Sequence, residues 1–436
     1  MPTIGPGPDQ LPPFLHPFAA PAAARGTFID IVEGSGAEVV DRSGRRYIDA
    51  LASLWYCQVG HGRTEIAEAV AGQMGTLGGF HTFDRYTNPT TDALADRLAA
   101  MAPMPDTRVF FTSGGSESVE TAIKLARLAQ VRAGHPERTV IVSRQPSYHG
   151  VTYAAMTASG VPPNQEGFGP LLPDVIRVPY DDLDAIDGLS AVQEGRVAAI
   201  LAEPVVGAGG VWPAPEGYLA GLRQRCDGLG AHLIFDEVIC AFGRLGTWWG
   251  AEFAGVRPDL ITFAKGVTSG YLPLGGVLVG PAVREPLEDD PATVLRHGYT
   301  YSGHPSCAAA AMANLDILER EQLLGSADRI AGTLGAGLKT LVDGEAVVEV
   351  RGTMGVWALG LGAGTDATAV RDALLTHGII ARPIGNATVA FCPSLVMTDG
   401  QMEQCVEGAR RAVAEVAEGG PRPEVASSSR GPAGTR

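Results

Sequence analysis

Two short apolar runs that each end on one charged residue place the strongest constraint on how this chain folds. Leu233-Ile-Phe-Asp236 ends on Asp236, and Leu260-Ile-Thr-Phe-Ala-Lys265 ends on Lys265. Runs of this length predict buried strands. Because an unpaired charge is costly to bury, a strand that ends on one predicts a use for it. The alternatives are a buried ion pair and two solvated loop ends.

A lysine and an aspartate at neighbouring strand ends suit a pyridoxal phosphate site. The lysine forms a Schiff base with the cofactor aldehyde, and the aspartate keeps the pyridine nitrogen protonated. On this pair alone, the cofactor site and the alternatives all stay open.

Apolar runs alternate with helical stretches between about residues 107 and 290. The predicted strands cover residues 108–112, 139–143, 197–201, 233–235 and 260–263. Helical stretches such as residues 116–133 and 217–228 separate several of them. This alternation predicts an α/β fold with a mostly parallel sheet covered by helices.

Polar residues follow these strands each time. They are Ser113-Gly-Gly-Ser116, Tyr148-His149, Glu203, Asp236 and Lys265. In open α/β sheets, ligands bind at the carboxyl ends of the strands, so five segments predict one crevice.

Several of these residues suit parts of a phosphorylated aromatic ligand. The amides of Gly115 and Ser116, at a helix start, suit a phosphate, although a simple capped helix is the alternative. Tyr148 suits stacking on a flat ring, with a surface aromatic as the alternative. Val238 is expected to press on the ring's other face if the strand continues past Asp236. Thr300 suits a phosphate contact, with a simple helix-entry loop as the alternative.

The remaining segments predict a smaller second unit and two irregular ends. Predicted elements are an irregular arm at 1–26, a hairpin at 37–49, helices at 64–76 and 90–102, a helical region at 308–342, short strands with a helix near 366–376 inside 346–395, and a helix at 399–417. The predicted domains are residues 1–50, an arm and hairpin belonging to a small domain; residues 51–305, a large cofactor-binding domain; residues 306–418, a C-terminal small domain; and residues 419–436, a disordered tail.

Charge and composition exclude several classes of partner. With 33 basic and 48 acidic residues the net charge is −15, and no basic block occurs, which argues against nucleic acid and membrane partners. The six cysteines are scattered without C-x-x-C, so we expect no disulfide framework, no metal site and a cytoplasmic location. No signal peptide or membrane-spanning run is recognisable.

Other enzyme motifs are absent or misplaced. The G-x-S-x-G elbow of α/β hydrolases does not occur. The dinucleotide-like run Gly360-Leu-Gly-Ala-Gly364 lies late in the chain and lacks a helix start, so it predicts a strand end and loop. A nicotinamide oxidoreductase is therefore disfavoured.

Taken together, residues 30–415 resemble the class III, fold type I pyridoxal phosphate-dependent aminotransferases, and most of all the ω-transaminases. The motifs that carry the resemblance are residues 53–63, 236–244, 264–275 and 298–305. The resemblance implies a seven-stranded, mostly parallel sheet in the large domain and a smaller α/β domain. It also implies transfer of an amino group between an amine or ω-amino acid and a keto acid or aldehyde.

The resemblance further implies a role for each candidate residue. Lys265 is the Schiff-base lysine and proton shuttle, Asp236 the pyridine-nitrogen partner, Gly115 and Ser116 the phosphate loop, and Tyr148 and Val238 the two faces around the ring. Trp55, Tyr148, Glu203 and Arg382 lie on the substrate side, where Arg382, in a predicted turn region, is the mobile arginine that grips a carboxylate. Thr300 reaches the neighbouring subunit's phosphate, which implies a homodimer with shared active sites.

Two departures and some alternatives remain. Ile239 stands where 4-aminobutyrate and ornithine aminotransferases carry glutamine, and residues 78–86 look individual, so specificity is expected to differ. The same fold and cofactor serve aminomutases, racemases and decarboxylases. A non-catalytic binding protein is disfavoured by the intact Lys265 and Asp236.

Overall fold

The computed structural model describes residues 7–419 and is built around one seven-stranded sheet. In spatial order its strands are Arg108–Thr112, Gly275–Val279, Leu260–Phe263, His232–Asp236, Val197–Ala202, Val140–Gln145 and Val175–Pro179. Only Gly275–Val279 runs antiparallel to its neighbours, so the other six strands end at the same edge. The predicted mostly parallel α/β sheet is confirmed.

Helices cover both faces of this sheet. Those of the first 290 residues are Thr64–Leu77, Pro89–Ala100, Gly115–Arg132, Tyr153–Ala158, Asp184–Asp187, Ser190–Gln193, Tyr218–Leu229, Gly250–Ala254 and Pro281–Glu288, with shorter turns at Arg25–Thr27, Ala52–Trp55, Pro162–Asn164 and Lys265–Val267. Every side chain of strand Val197–Ala202 is buried, as expected for a strand covered on both faces. One face of helix Gly115–Arg132 is apolar and is also buried, at Val119, Ala122, Ile123 and Ala126.

Residues 7–419 also form two four-stranded sheets, and the first of them joins early strands of the chain to a late one. The first contains Ile31–Ser35, Glu38–Asp41, Arg46–Asp49 and Ile379–Ile380. The second contains Val347–Thr353, Val356–Leu361, Thr388–Phe391 and Arg382–Ile384, and a two-stranded ribbon pairs Val205–Val206 with Trp212–Pro213. The predicted hairpin at 37–49 is confirmed, and Gly360–Gly364 is the predicted strand end and loop.

The C-terminal helices differ from prediction at one point. They are Pro305–Arg320, Ser326–Ile330, the π-helical turn Ala331–Gly335, Ala336–Lys339, Ala367–Thr376 and Asp399–Ala417, with a 3-10 turn at Leu323–Gly325. The continuous helical region predicted at 308–342 is interrupted after Arg320, where Gln322 adopts a left-handed backbone conformation (φ 52°) that an α-helix cannot contain.

Some predictions are not tested by this architecture. The domain boundaries stay predictions, and the predicted disordered tail lies, from residue 420 onward, outside the described residues. Within residues 7–419, no helix is both long and apolar enough to cross a membrane.

Candidate active site

Asp236 and Lys265 meet because their strands are hydrogen-bonded neighbours that run in parallel. Asp236 is the last residue of strand His232–Asp236 and is paired with Thr262 of strand Leu260–Phe263. Lys265 begins the turn Lys265–Val267 two residues beyond that second strand, with a left-handed backbone (φ 47°). Both side chains line a cavity of about 350 Å³ at the carboxyl edge of the sheet.

Nine of the ten candidate residues line this one cavity. They are Trp55, Gly115, Ser116, Tyr148, Glu203, Asp236, Val238, Lys265 and Arg382. The tenth, Thr300, is exposed and does not line it. The five predicted strand-end segments therefore converge on one crevice, together with Trp55 and Arg382 from two further segments.

The Asp236 carboxylate is almost fully buried and held by three donors. Its Oδ2 lies 2.8 Å from Nδ1 of His149, and its Oδ1 accepts from the Val238 amide (3.1 Å) and the Thr262 hydroxyl (3.0 Å). A carboxylate offers about four lone-pair directions, so one remains for a further donor. Asp236 can therefore accept a hydrogen bond from a protonated ring nitrogen in the cavity.

Lys265 lies in surroundings that favour its neutral amine. Burial lowers the pKa of Lys265, while the carboxylates of Asp236 and Glu203 act in the opposite sense and reduce the shift. A neutral amine can attack an aldehyde and accept a proton from carbon, whereas an ammonium group can do neither.

The loop before helix Gly115–Arg132 forms a close-fitting cradle. Val238 packs so tightly on Gly115 that a Cβ there would lie 2.9 Å from Val238 Cγ1. Ser116 Oγ accepts from the Val151 amide (3.0 Å), which leaves its own proton free to donate. Because the strand ends at Asp236, Val238 lies in the following turn rather than in a continued strand, and its bond to Asp236 directs it to the cavity.

Glu203 fixes the backbone around Tyr148. Its Oε1 accepts from the Tyr148 amide (3.0 Å), and its Oε2 accepts from the Gly207 amide (2.8 Å). Burial raises the pKa of Glu203, and the charge of His149 acts against that shift. Burial likewise raises the pKa of Tyr148. Glu203 thus positions the two loops on which Tyr148 and Ala208 reach the cavity.

Arg382 lies across the cavity but not in a turn. The predicted turn region is wrong, since Arg382 is the first residue of strand Arg382–Ile384 and pairs with Ala390. Within residues 7–419 its guanidinium makes no hydrogen bond or ion pair, and burial lowers its pKa. The side chain is therefore available to an anionic ligand.

Several residues of the site were not predicted from the sequence, among them His149, Phe18 and Asn164. His149 is predicted only as a polar residue beside Tyr148, although its side chain contacts Asp236 directly. Phe18, from the irregular arm, and Asn164, from a 3-10 turn, also line the cavity. Neither stands in a periodic segment, so only the position of His149 after a predicted strand offered a signal.

With its seven-stranded sheet, the chain has fold type I of the pyridoxal phosphate-dependent transaminases. The sequence model of the family described as "Aminotransferase class-III" matches residues 19–413. The chain belongs to this family, and it is a pyridoxal phosphate-dependent transaminase that moves an amino group between an amine or ω-amino acid and a keto acid or aldehyde.

Individual relatives agree with this assignment. A probable aminotransferase of Mycobacterium tuberculosis is 44% identical over 340 residues, which cover 74% of this chain and 72% of that protein. The β-alanine–pyruvate aminotransferase of Pseudomonas aeruginosa is 38% identical over 344 residues, 74% of this chain and 76% of that protein. An amine transaminase from an uncultivated Pseudomonas species, solved in its pyridoxal phosphate-bound form, superposes with a TM-score of 0.89 at 34% identity and covers 94% of this chain and 100% of its own. The family and this neighbour imply dependence on pyridoxal phosphate.

Proposed function

We propose that Lys265 and Asp236 are the catalytic residues of this transaminase and that pyridoxal phosphate lies between them. The observation that carries the proposal is that both side chains reach one cavity from adjacent parallel strand ends. The cofactor's phosphate would be held by the amides of Gly115 and Ser116 and by the Ser116 hydroxyl. Its ring would lie between Tyr148 and Val238.

Each residue has a defined task in the reaction. When bound, pyridoxal phosphate supplies an electrophilic aldehyde and a ring that withdraws electrons from the amine-bearing carbon. Lys265 would hold the cofactor through its Nζ, and the same neutral amine would carry a proton between carbon atoms. The Asp236 carboxylate, oriented by His149 and Thr262, would keep the ring nitrogen protonated.

Arg382 would distinguish the two substrates. A guanidinium can hold a keto-acid carboxylate through two parallel hydrogen bonds, which an amine without a carboxylate cannot use. Much of the rest of the cavity lining is apolar, with Phe18, Leu54, Val161 and Ile239 among its residues. We therefore propose a keto-acid acceptor such as pyruvate and a donor amine, or ω-amino acid, with an apolar chain.

The active form is proposed to be a homodimer. Thr300 is exposed and lies outside the cavity of its own chain, which supports a role at the site of a second copy. Its hydroxyl would add a phosphate contact to those of Gly115 and Ser116.

A single substitution with a matched control tests the catalytic assignment. Lys265→Ala should abolish borohydride-stable attachment of the cofactor and lower turnover at least about a thousandfold, since both attachment and proton transfer depend on Nζ. Lys339→Ala, which removes a lysine that stacks on the Trp357 ring, should retain both properties. The measurements are the mass of the reduced protein and turnover of an amine panel with pyruvate and 2-oxoglutarate. A reduced cofactor adduct and turnover in Lys265→Ala would refute the assignment.

A further inference from the structure

The loop at residues 51–57 forms part of the cavity wall in a backbone conformation that needs support. Leu54 and Trp55 both line the cavity. Within this loop Ala52, Ser53 and Trp55 have positive φ angles of 48°, 60° and 68°. Non-glycine residues avoid this region for steric reasons, so three of them in four positions persist only where surrounding contacts hold them.

One buried carboxylate holds the start of this loop. Asp49 Oδ1 accepts from the Leu51 amide (3.2 Å), and Asp49 Oδ2 accepts from the Ser53 amide (2.5 Å). The same Oδ2 lies 2.9 Å from Nε2 of His61. The other ring nitrogen, Nδ1, lies 3.7 Å from Sγ of Cys57, which ends the loop. His61 therefore bridges the two ends of the loop.

The charges of these groups fit that bridge. Hydrogen bonds to Asp49 and then Cys57 raise the pKa of His61 to about 10. The ring is therefore an imidazolium at neutral pH, and both of its N–H groups donate. Its positive charge also compensates the Asp49 carboxylate, which is 3% exposed and would otherwise be a costly buried charge.

The residues that follow the loop contact the segment carrying Lys265. Ser269 Oγ accepts from the Val59 amide (3.3 Å), and the Tyr271 hydroxyl donates to the Gly60 carbonyl (2.9 Å). Gly270 packs against the Tyr56 ring, with no room for a Cβ between them. The loop thus joins the substrate wall to the backbone just beyond the catalytic lysine.

We propose that Asp49, His61 and Cys57 form a hydrogen-bonded latch that positions Leu54 and Trp55 against the amine substrate. The three are positioning residues, since none of them lines the cavity. The proposal rests on the catalytic residues and substrate classes proposed above. A polar cluster outside the cavity would therefore determine the shape of the wall that binds the amine.

Variants of the holoenzyme test the latch by amide exchange and by steady-state kinetics. His61→Gln and Cys57→Ala should each accelerate hydrogen exchange in peptides covering residues 51–57 about tenfold or more, with little change elsewhere. The KM of the amine donor should rise about tenfold, while kcat changes less than about threefold, because binding is weakened and the reacting groups stay in place. Cys57→Ser, which retains a hydrogen-bonding atom, should behave nearly as wild type.

His377→Gln is the matched control, since His377 makes an ion pair of similar length with Glu415 (2.8 Å), does not line the cavity, and its side chain has the same 23% exposure as that of His61. Unchanged exchange and unchanged KM in folded His61→Gln would overturn the proposal. Loss of bound cofactor or of the fold in both His61→Gln and Cys57→Ala would also overturn it, since the cluster would then support the fold rather than the loop. Exchange is measured without substrate, so a failure of the proposed catalytic and substrate assignments would leave that result intact and would appear instead as a wild type that is inactive with the amine panel.

Discussion

Burial and nearby charges shift the pKa values of two ionisable residues in this site, Lys265 and Glu203. At Lys265 burial is the larger effect and lowers the pKa, although Asp236 and Glu203 oppose it. At Glu203 burial raises the pKa. Both shifts favour the uncharged forms, which reduces the cost of placing several ionisable groups around one small cavity. The pyridine ring of the bound cofactor would bring a positive charge to the same cavity, opposite Asp236.

Arg382→Ala should separate the two half-reactions. A partly desolvated contact between a guanidinium and a carboxylate contributes roughly 2–4 kcal/mol, so the KM of a keto-acid acceptor should rise by about thirtyfold or more. The half-reaction with a carboxylate-free amine should change far less. Single-turnover absorption spectra of each half-reaction measure the difference.

The control for this experiment is Arg382→Lys, which keeps the charge but loses the forked pair of donors. With keto acids, the KM of Arg382→Lys should lie between those of wild type and Arg382→Ala. With the neutral amine, its half-reaction should match those of both proteins. An equal loss of rate in the two half-reactions, or no loss in either, would refute the proposed role of Arg382.

How far these residues could be predicted depended on their place in the chain. Lys265 and Asp236 were predictable because a charge at the end of a buried apolar run is costly unless a partner or a ligand uses it. Phe18 and Asn164 were not, since each reaches the cavity from an irregular segment that carries no periodic signal. Arg382 was identified by resemblance, but its strand was missed because three residues are too few for a period-two pattern to show.

At the scale of elements, glycine explains why one strand of the large sheet was not predicted and why that strand packs closely on its neighbours. Strand Gly275–Val279 was not predicted, because strands are normally poor in glycine. Its glycines allow close packing, since a Cβ on Gly276 would lie 2.7 Å from the Phe110 carbonyl oxygen. The edge strand Val175–Pro179 was missed for a different reason: it is mostly half-exposed and contains Arg177, so its apolar pattern is weak.

Gly115→Ala should weaken cofactor binding without preventing folding. Its Cβ would lie 2.9 Å from Val238 Cγ1, so Val238 must shift toward the proposed ring position. Overpacking of this kind costs about 1–3 kcal/mol, which corresponds to a roughly 5- to 150-fold loss of cofactor affinity. Titration of the apoenzyme with pyridoxal phosphate, followed by absorbance, measures this change.

Gly114→Ala is the control in the same loop. Gly114 has extended backbone, and no group beyond its chain neighbours lies within 4 Å of the position that a Cβ would take there. This variant should bind the cofactor nearly as wild type. Similar losses in both variants would mean that loop flexibility, rather than the contact with Val238, determines affinity.

At the scale of the whole molecule, an early and a late segment of the chain share one four-stranded sheet. Strand Ile379–Ile380 runs parallel to Arg46–Asp49, so residues more than three hundred positions apart share a sheet. Local periodicity cannot reveal such pairing. Nor can it reveal which residues serve a second copy, and the role of Thr300 therefore rested on the resemblance alone.

Mixed dimers should show directly whether Thr300 acts in the neighbouring subunit. A heterodimer of Lys265→Ala with Thr300→Val contains one site with both intact residues if Thr300 reaches across, and none if it serves its own chain. Activity of about half the wild-type value is therefore expected.

A second heterodimer, of wild type with the double variant Lys265→Ala/Thr300→Val, gives the opposite expectation. It should be poorly active if Thr300 reaches across, because the subunit with the intact lysine then has a partner that lacks the Thr300 hydroxyl. Turnover of tagged, separately purified heterodimers measures both cases. Half activity in the second heterodimer together with none in the first would assign Thr300 to its own chain and remove the shared site.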